Sequence, residues 1–354
     1  MHILFLSQTT AAGASSRARV YQWLPYLDKA GIRYTVSPGV PEKLDMLYLS
    51  QPNSWIKLAW FASKIFNRLY TLFRVNRYDL VVMQRETLPY FYPWLDLLII
   101  KFSRHVIFDF DDSIFLYPKT LTRFKKIIFD PKAVEKIIKS CDYITVSTSY
   151  LAIYAQQYHQ KVTIIPTCIS PPEKAKPNNQ INGKAIIGWI GSPSTQHFLD
   201  AVLPTLKSLS ESHPIQIKLI GAVSDYKYNN INYIPWRQDD EWDQIKSFDI
   251  GIMPLPDNEW TRGKGGYKLL QYMAAGVPAV ASPVGVNTEI IQSGENGFLA
   301  STEQEWKARL IGLIEDESLR IKIKTNGLKT IKEFYTFQTN ASKWIRVLEH
   351  FRIQ

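Results

Sequence analysis

The segment Gly263–Ser282, GKGGYKLLQYMAAGVPAVAS, predicts a glycine turn, a helix and a buried strand in direct succession. The turn includes three glycines, which permit positive φ angles and a close approach of the backbone to a ligand: Gly263, Gly265 and Gly266. Apolar residues at helical spacing predict a helix over Tyr267–Ala275, and Lys264 and Lys268 flank its start. Since the first amides and the positive dipole end of a helix attract anions, the segment predicts a phosphate-binding site.

The residues that follow carry further motifs. Met273–Gly285 reads MAAGVPAVASPVG, and Glu289 and the sequence NGFL at 296–299 come after it. The whole passage resembles the donor-binding segment of glycosyltransferase family 4, retaining enzymes that use nucleotide sugars and have the GT-B fold. The resemblance implies an α/β protein with two doubly wound Rossmann-like domains facing a central cleft. It also implies a nucleotide sugar as co-substrate, no other cofactor or metal, and a donor-side position for Glu289.

Two acidic positions of the family pattern are not acidic in this chain. Gly263 stands where the family has a glutamate that contacts the sugar, and Gln271 stands where a second glutamate contacts the ribose. Gln271 can still hydrogen-bond a ribose hydroxyl through its amide. Gly263 has no side chain, so we expect Lys264 or Lys268 to take over part of the donor contact, and the preference for sugar and base stays open.

Length and composition are those of a globular protein with more than one core. The chain has 354 residues, of which 45% are hydrophobic and 21% charged, and single cores rarely exceed about 250–300 residues. Cys141 and Cys168 lack metal-ligand spacing, and no signal peptide or spanning segment is apparent. We therefore expect a cytoplasmic protein.

Alternating strand and helix patterns predict two parallel sheets. In the first half, the predicted strands are His2–Ser7, Arg33–Ser37, Leu80–Gln84, His105–Phe110, Tyr143–Ser147 and Val162–Ile165. In the second half, they are Ala185–Ile190, Ile215–Ile220, Asn232–Ile234, Asp249–Met253 and Ala279–Ala281. Ligands of such folds bind at the carboxyl ends of the strands, so we expect the active site in the cleft.

Residues 171–183 are rich in proline and poor in apolar side chains, which predicts a linker. We expect an N-terminal acceptor domain over residues 1–170 and a donor domain over residues 184–337. In the family, the final helix returns to the first domain. Residues 338–354 carry two aromatic side chains suited to anchoring that helix, Trp344 and Phe351.

The strand Ala185–Ile190 runs into a second glycine turn at Gly191 and Ser192. In the family this loop lies near the donor diphosphate, so both residues are predicted to bind the donor. The basic pair that often follows the loop is missing here. The groups expected to replace it are Arg262, Lys264, Lys268 and the backbone amides of Gly265, Gly266 and Tyr267. For each lysine, a solvated surface charge is the competing interpretation.

A similar turn, TTAAGASSRARV at 9–20, follows the first strand. The family has this loop beside the acceptor and the donor phosphates, which makes Gly13 and Arg17 candidate acceptor-side residues. The alternative is a helix capped by Ser15 or Ser16 with solvated arginines. Of the two arginines, we expect Arg17 rather than Arg19 to face the cleft.

Three carboxylates end another strand, in the sequence FDFDDSIF at 108–115. Asp109 and Asp111 point to the same side of an extended chain, and Asp112 falls in the turn beyond. Many family 4 enzymes have a histidine and an aspartate here, within reach of the acceptor hydroxyl, so the resemblance makes Asp111 and Asp112 catalytic candidates and Asp109 an acceptor-side one. We expect these acids to raise one another's pKa, which suits a base working near neutral pH.

Two alternatives remain for the aspartates: they cap the next helix, or they form a metal site of the Asp-x-Asp type, which we rank below the catalytic interpretation. Arg85 follows the neighbouring predicted strand. It is expected to join the acceptor side of the site, or to pair simply with Glu86 or Asp109.

A formal net charge of +10 and a pI of about 9.3 indicate an acidic partner or surface. The segment Trp55–Arg77 concentrates basic residues and contains no acid. Helical spacing puts Lys57, Lys64 and Arg68 on one stripe beside a broad apolar face. Such a helix either lies on an anionic membrane surface or covers a sheet. No nucleic-acid-binding module is recognised, so a nucleic-acid partner is not expected.

Together these residues predict a glycosyltransferase that moves a sugar from a nucleotide-sugar donor to an acceptor hydroxyl of a glycan or lipid-linked glycan. The resemblance implies retention of configuration and no obligatory metal, and contact with the inner face of a membrane remains one of the two alternatives for Trp55–Arg77. Two other classes of function remain open. A nucleotide-sugar epimerase would convert the donor without an acceptor, and a non-catalytic partner would bind a nucleotide sugar or glycan for another transferase.

Overall fold

Two parallel sheets organise the chain, in a computed structural model that describes residues 1–50, 53–117, 127–177, 180–181, 183–223 and 230–352. Each sheet belongs to its own compact unit. Unit 1 consists of Met1–Thr167 together with Asn340–Gln354, and unit 2 of Cys168–Thr339. Unit 1 is therefore assembled from two separate stretches of chain.

The sheet of unit 1 has six strands among the described residues, in the order β2-β1-β3-β4-β5-β6, all parallel. The strands are β1 His2–Ser7, β2 Arg33–Pro38, β3 Leu80–Gln84, β4 Val106–Phe110, β5 Tyr143–Val146 and β6 Val162–Ile164. Ile3 of β1 is paired with Tyr34 on one side and Leu80 on the other. Strands such as β3 and β4 are buried along their whole length, as expected where helices cover both faces of a parallel sheet.

The helices of unit 1 are α1 Ala14–Arg19, α2 Leu24–Lys29, α3 Glu42–Ser50, α4 Ser54–Leu72, α5 Trp94–Phe102, α6 Ala133–Ser140 and α7 Ser149–Gln156. Short 3-10 turns lie at Tyr21–Trp23 and Val75–Arg77. Side chains cap the N-termini of two of these helices. The side-chain oxygen of Asn53 accepts from the amide of Ile56 at the start of α4, and the Thr148 hydroxyl accepts from the amide of Leu151 at the start of α7.

The sheet of unit 2 also has six parallel strands in the described part of the chain, in the order β12-β11-β10-β7-β8-β9. They are β7 Ala185–Ile190, β8 Ile215–Ile220, β9 Ile231–Ile234, β10 Ile250–Met253, β11 Ala279–Ala281 and β12 Phe298–Leu299. The direction in which strands are added reverses between β7 and β10. This order is that of a dinucleotide-binding Rossmann sheet.

The helices of unit 2 are α8 Leu203–Ser212, α9 Glu241–Lys246, α10 Glu259–Arg262, α11 Tyr267–Ala275, α12 Asn287–Ile290, α13 Glu303–Glu315 and α14 Glu317–Thr330. A 3-10 segment, Pro193–Ala201, follows β7, and a π-helical turn, Ile331–Tyr335, follows α14. The last helix, α15 Phe337–Glu349, starts in unit 2 and continues into unit 1.

Two aromatic residues hold the C-terminal stretch within unit 1. Trp344 packs edge-on against Trp23, with ring centroids 6.4 Å apart. Phe351 lies against the rings of His105 and Tyr143. Both anchors are almost fully buried, so residues 340–352 are part of the core of unit 1.

The sequence predicts eleven of these strands to within one residue, and the glycine-flanked helix α11 with the observed bounds. It misses β12, a strand of only two residues. The predicted linker follows directly after the boundary between the units. Its described residues are grouped with unit 2, where the amide of Lys176 donates to Ala275 and its ammonium pairs with Asp249. Positions 178, 179 and 182 lie outside the described residues.

The orientation of α4 differs from the prediction. Lys64 and Arg68, two members of the predicted basic stripe, are 1% and 3% exposed and point into unit 1. Only Lys57 of that stripe lies at the surface. The polar side of α4 packs inward because the backbone carbonyls that end β1 and β2 accept its hydrogen bonds: Arg68 donates to Ser37 and Ser7.

Two glycines of unit 2 are required by rings that cross its central strands. A Cβ added at Gly188 of β7 would lie 2.1 Å from the ring of Phe248, and one added at Gly251 of β10 would lie 2.5 Å from the ring of Tyr272. Distances this short are incompatible with any side chain. The absence of a side chain therefore allows helices to approach the middle of this sheet.

We predict that Gly188→Ala lowers the free energy of unfolding by about 1–3 kcal/mol, because an added methyl group overpacks the core. The control is Gly312→Ala in α13, where the nearest atom to the new Cβ is 3.7 Å away. That change should leave stability equal or raise it by about 0.4–1 kcal/mol, since alanine restricts the unfolded chain. Urea denaturation measures both, and equal effects would contradict the packing argument.

Candidate functional site

The turn after β7 lies where the strand order of unit 2 reverses, the usual position of ligands in open α/β sheets. Gly191 and Ser192 form this turn. A Cβ at Gly191 would lie 2.3 Å from the indole of Trp189 and 2.8 Å from the ammonium of Lys268. On its other side, a Cβ at Gly221 would lie 2.1 Å from the carbonyl oxygen of Gly191. Residue 191 therefore has no space for a side chain, because the Trp189 ring and the Lys268 ammonium pack directly against the turn.

Lys268, in the first turn of α11, holds its ammonium at this turn. The Nζ atom lies 4.5 Å from the centroid of the Trp189 ring and donates to Thr195 Oγ1 at 3.3 Å. Burial, and secondly the charge of Lys264, lowers the pKa of Lys268 to about 7. A cation in this condition gains from an anionic ligand, because the ligand supplies the counter-charge that the surroundings lack.

The glycine turn before α11 uses one left-handed residue rather than three. Gly266, the N-cap of α11, has φ 70°, whereas Gly263 has φ −82° and Gly265 is not in the positive-φ region. The prediction of positive φ is therefore confirmed for Gly266 alone. A Cβ at Gly266 would lie 2.6 Å from Ile290 Cδ1, so α12 packs directly on the turn. Tyr267 opens the helix as predicted.

The remaining predicted cations of unit 2 are engaged locally. Lys264 lies 4.7 Å from the centroid of the Trp260 ring. Arg262 ends α10 and forms an exposed, two-pronged ion pair with Asp257. Lys268 contacts Trp189 and Thr195, which lie on either side of the Gly191 turn.

Gln271 and Glu289 occupy different environments. Gln271 is 2% exposed, and its amide nitrogen has no hydrogen-bond partner among the described residues. A buried donor of this kind is costly unless a ligand or water satisfies it. Glu289 lies on α12 and is exposed.

In unit 1, Asp109 forms a buried ion pair with Arg19. Its carboxylate accepts from Nε and Nη2 of Arg19 and, at 2.6 Å, from the hydroxyl of Thr145, while Nη1 of Arg19 donates to the carbonyl of Ile165. Asp109 and Arg19 are 2% and 4% exposed. This geometry corrects two expectations, since Asp109 is enclosed in unit 1 and Arg19 is not solvated.

Asp111 lies at the end of β4 beside Arg85. One carboxylate oxygen accepts from Arg85 Nε at 2.8 Å, and the other from Ser15 Oγ at 2.6 Å. Burial would raise the pKa of this carboxyl, but Arg85, Arg19 and the Ser15 hydrogen bond together hold it below its usual value. The predicted upward shift is therefore wrong, and Asp111 stays ionised at neutral pH.

Arg85 joins Asp111 and Asp112 rather than Glu86 or Asp109 as its side-chain partner. Its Nη2 atom lies 2.6 Å from Asp111 and 3.5 Å from Asp112. Arg85 has φ +59°, an unusual conformation for a residue with a side chain. Its amide donates to the carbonyl of Asp109. Arg85 is thus held by β4 through backbone and side chain alike.

Side chains within the turn after β1 pack against its backbone. Gly13 is the N-cap of α1 with φ −77°, so neither Ser15 nor Ser16 caps the helix. A Cβ at Gly13 would lie 2.1 Å from Thr9 Oγ1. Arg17 is partly buried, and its Nη1 atom has no hydrogen-bond partner in the described part of the chain.

Several residues at these sites have no obvious mark in the sequence. Trp189 and Thr195 position Lys268, and Ser15 and Gln84 position Asp111, with Gln84 donating to Ser15 Oγ at 2.8 Å. A polar residue that ends a buried strand, as Gln84 does, is the one available signal. Glu86, two residues after Gln84, is a further residue without a mark in the sequence. Its side chain is buried, and burial raises its pKa to about 7.

Part of this chain is similar in sequence to known glycosyltransferases. Residues 185–316 match the family model of the glycosyl transferases group 1. An uncharacterized glycosyltransferase of Methanocaldococcus jannaschii is 27% identical over 158 residues, which are 41% of this chain and 43% of that relative. The match thus spans less than half of the relative's length.

Solved structures resemble the whole chain at low identity. The Anabaena protein HepE, in complex with UDP and glucose, has a TM-score of 0.67 at 15% identity, covering 99% of this chain and 100% of that one. Sucrose-phosphate synthase from Thermosynechococcus elongatus has a TM-score of 0.74 at 12% identity, covering 100% and 99%. The chain thus has the GT-B fold, and the family match supports a place in the glycosyltransferase superfamily.

We predict that Asp109→Asn lowers the free energy of unfolding by about 3–5 kcal/mol, because it leaves Arg19 buried without its counter-charge. The matched control is Asp239→Asn, which breaks an ion pair with Arg237 in which both side chains are 66% exposed. Denaturant unfolding should show no measurable change for the control. Equal stability of the two variants would show that the Asp109 pair is not structural.

Proposed function

We propose that the protein is a retaining, metal-independent glycosyltransferase of family 4 that transfers a hexosyl or related sugar from a nucleotide donor to an acceptor hydroxyl. The observation that carries this proposal is the Lys268 ammonium, held by Trp189 and Thr195 against the Gly191 turn. A diphosphate is the part of a nucleotide sugar that requires such a cation.

On the donor side, Lys268 and Lys264 neutralise the charge that grows on the departing nucleoside diphosphate. Preorganised positive charge of this kind is commonly the largest contribution to catalysis. The backbone of Gly191, Ser192, Gly263, Gly265, Gly266 and Tyr267 lies close to the phosphates. Gly266 starts α11, so the positive end of that helix dipole adds to the lysines.

The buried amide of Gln271 donates to a ribose hydroxyl, which supplies the partner that its nitrogen lacks among the described residues. Glu289 lies beside the donor, as the family pattern implies. Arg262 contributes only when a ligand draws it away from Asp257, with which it pairs in this structure.

On the acceptor side, we propose Asp111 as the main catalytic group, with Asp112 beside it. The lowered pKa of Asp111 favours a carboxylate that stabilises positive charge on the sugar ring over one that takes up the acceptor proton. Arg85 orients Asp111 through their ion pair. Gly13 and Arg17 border the acceptor, and the buried, unpartnered Nη1 of Arg17 suits an anionic group there. Asp109 acts through Arg19 as a structural residue.

The UDP and UDP-glucose complexes of the Anabaena neighbour make UDP-sugars the first donors to test. We propose a glycan or lipid-linked glycan as acceptor, in the synthesis of a polysaccharide or glycolipid, with the protein in the cytoplasm at the inner face of a membrane. A thermal-shift screen of nucleotide sugars identifies the donor, because a ligand that binds the native state raises Tm by mass action.

We predict that Lys268→Ala lowers kcat for transfer by about 10²–10³-fold with the donor that the screen identifies. Nucleotide affinity should fall by roughly ten- to a hundredfold, since a charge-assisted hydrogen bond is lost. The control is Lys322→Ala, which removes an exposed lysine of the same unit that pairs with Glu295. Calorimetry and a product assay measure the two effects.

Three outcomes of that assay separate the possible functions. Full activity of Lys268→Ala would contradict the proposed donor site. Nucleotide binding by the unaltered protein without transfer or donor hydrolysis, across a panel of acceptors, would support a non-catalytic partner. Conversion of the donor into an isomer without acceptor would support an epimerase.

We also predict that nucleotide diphosphate binding weakens between pH 7.5 and 9. Lys268 has a lowered pKa of about 7, so it is largely neutral above that pH until a diphosphate stabilises its charged form. Binding should therefore take up a proton, and the dissociation constant should rise by up to about tenfold per pH unit. Calorimetry in buffers of different ionisation enthalpy detects the proton, which Lys268→Ala should abolish.

A further inference from the structure

Helix α4 packs on unit 1 with its polar side. Lys64 donates to the side chain of Gln8, Asn67 donates to the carbonyl of Gly39 at 2.9 Å, and Arg68 donates to the carbonyl of Ser37 at 2.9 Å. Along the middle of the helix, its strongest hydrogen-bonding groups are therefore turned away from water. A helix that covers a sheet normally shows the opposite arrangement.

The outward side of α4 is apolar. Trp55, Phe66 and Phe73 are 80%, 69% and 81% exposed. At about 100° per residue, all three lie within about 20° of one line along the helix. Leu58 and Tyr70, 60% and 57% exposed, flank that line. We call these five residues the outer face of α4.

Exposed apolar residues are common when they are scattered, but an aligned aromatic row indicates a binding surface. The outer face extends over nearly the whole helix, which has 19 residues. In the described part of the chain, no helix combines the length and apolar character needed to cross a bilayer. Because it extends along nearly the whole helix, the aromatic row suits a helix that lies along an apolar boundary.

The charges around the outer face select the kind of partner. No acidic residue occurs between Met46 and Tyr78 in the sequence. Lys57, Arg74 and Arg77 are exposed within this stretch, and the protein carries a net charge of +10. Arg74 and Arg77 follow the row at its C-terminal end, whereas Lys57 lies on another side of the helix. An apolar row with cations at its end is complementary to the headgroup region of an anionic bilayer.

A cavity next to the outer face has matching chemistry. It measures about 390 Å³ and lies between β2 and α4. Arg74 is the one charged residue among the described residues that line it, and most of its other walls are apolar or hydroxyl-bearing, including Tyr70. The Arg74 guanidinium lies 4.6 Å from the centroid of the Tyr70 ring. The cavity therefore offers one cation and apolar walls, as a lipid phosphate and its glycerol require.

We propose that the outer face of α4 binds the surface of an anionic membrane, with the helix lying in the plane of the bilayer and Arg74 at a lipid phosphate. This binding surface differs from the basic stripe that the sequence predicts, because Lys64 and Arg68 are inside unit 1. The proposal concerns a surface of unit 1 and does not rest on the transfer reaction.

The test is flotation of the purified full chain with vesicles of phosphatidylcholine alone or with 30% phosphatidylglycerol, without donor or acceptor. We expect binding to the anionic vesicles that weakens with added salt. The triple variant Trp55→Ser, Phe66→Ser and Phe73→Ser should lose at least tenfold in the fraction bound per unit lipid. Arg74→Gln with Arg77→Gln should lose about as much, because each basic residue near the surface contributes roughly fivefold.

The matched control is Ile153→Ser, which removes a 63% exposed apolar residue elsewhere in unit 1 and should leave flotation unchanged. Thermal unfolding of every variant separates lost binding from lost folding. Equal flotation of the triple variant and the unaltered protein would overturn the proposal. A second result would also overturn it: the unaltered protein is a dimer in size-exclusion chromatography, the triple variant is a monomer, and neither floats with vesicles. The outer face would then join two copies of the chain.

Discussion

Each described strand runs parallel to its neighbours, so the carboxyl ends of all strands of a sheet lie along one edge. The backbone carbonyls and polar side chains at that edge need hydrogen-bond partners. The two units meet this constraint differently. In unit 1, side chains fill the edge: Arg19 binds Asp109, and Arg85 binds Asp111. In unit 2, the Trp189 ring and the Lys268 ammonium fill the space beside Gly191 at the corresponding edge. The first edge is therefore cross-linked by ion pairs, whereas the second presents a cation beside a glycine turn.

The same contrast holds for charge. Arg19 and Arg85 at the edge of unit 1 are each compensated by a carboxylate within hydrogen-bonding distance. The ammonium of Lys268 in unit 2 contacts the indole ring of Trp189 and the hydroxyl of Thr195, and it forms no ion pair among the described residues. A compensated cation stabilises the fold, whereas an uncompensated one stores electrostatic free energy that an incoming anion releases.

The sheets could be predicted from the sequence because buried parallel strands are continuous apolar runs, and α11 because glycines mark both of its ends. Orientation and protonation could not. The sequence shows two faces of α4 but not that strand-end carbonyls would draw Arg68 inward. It shows the acids next to Asp111 and the strand end that carries Arg85. It does not show that Arg85 and Ser15 bond to Asp111 itself and so help to reverse the sign of its pKa shift. The order of residues along one strand or helix does not show which distant side chains will contact it.

Because unit 1 is assembled from two stretches, it cannot be dissected as a contiguous fragment. A piece ending at Thr167 would lack Trp344 and Phe351 and would uncover the rings of Trp23 and His105 that they cover. Residues 340–352, which are synthesised after unit 2, therefore complete a unit whose larger part precedes unit 2 in the chain. During translation, that first part must wait for the second unit to emerge before its own core can close.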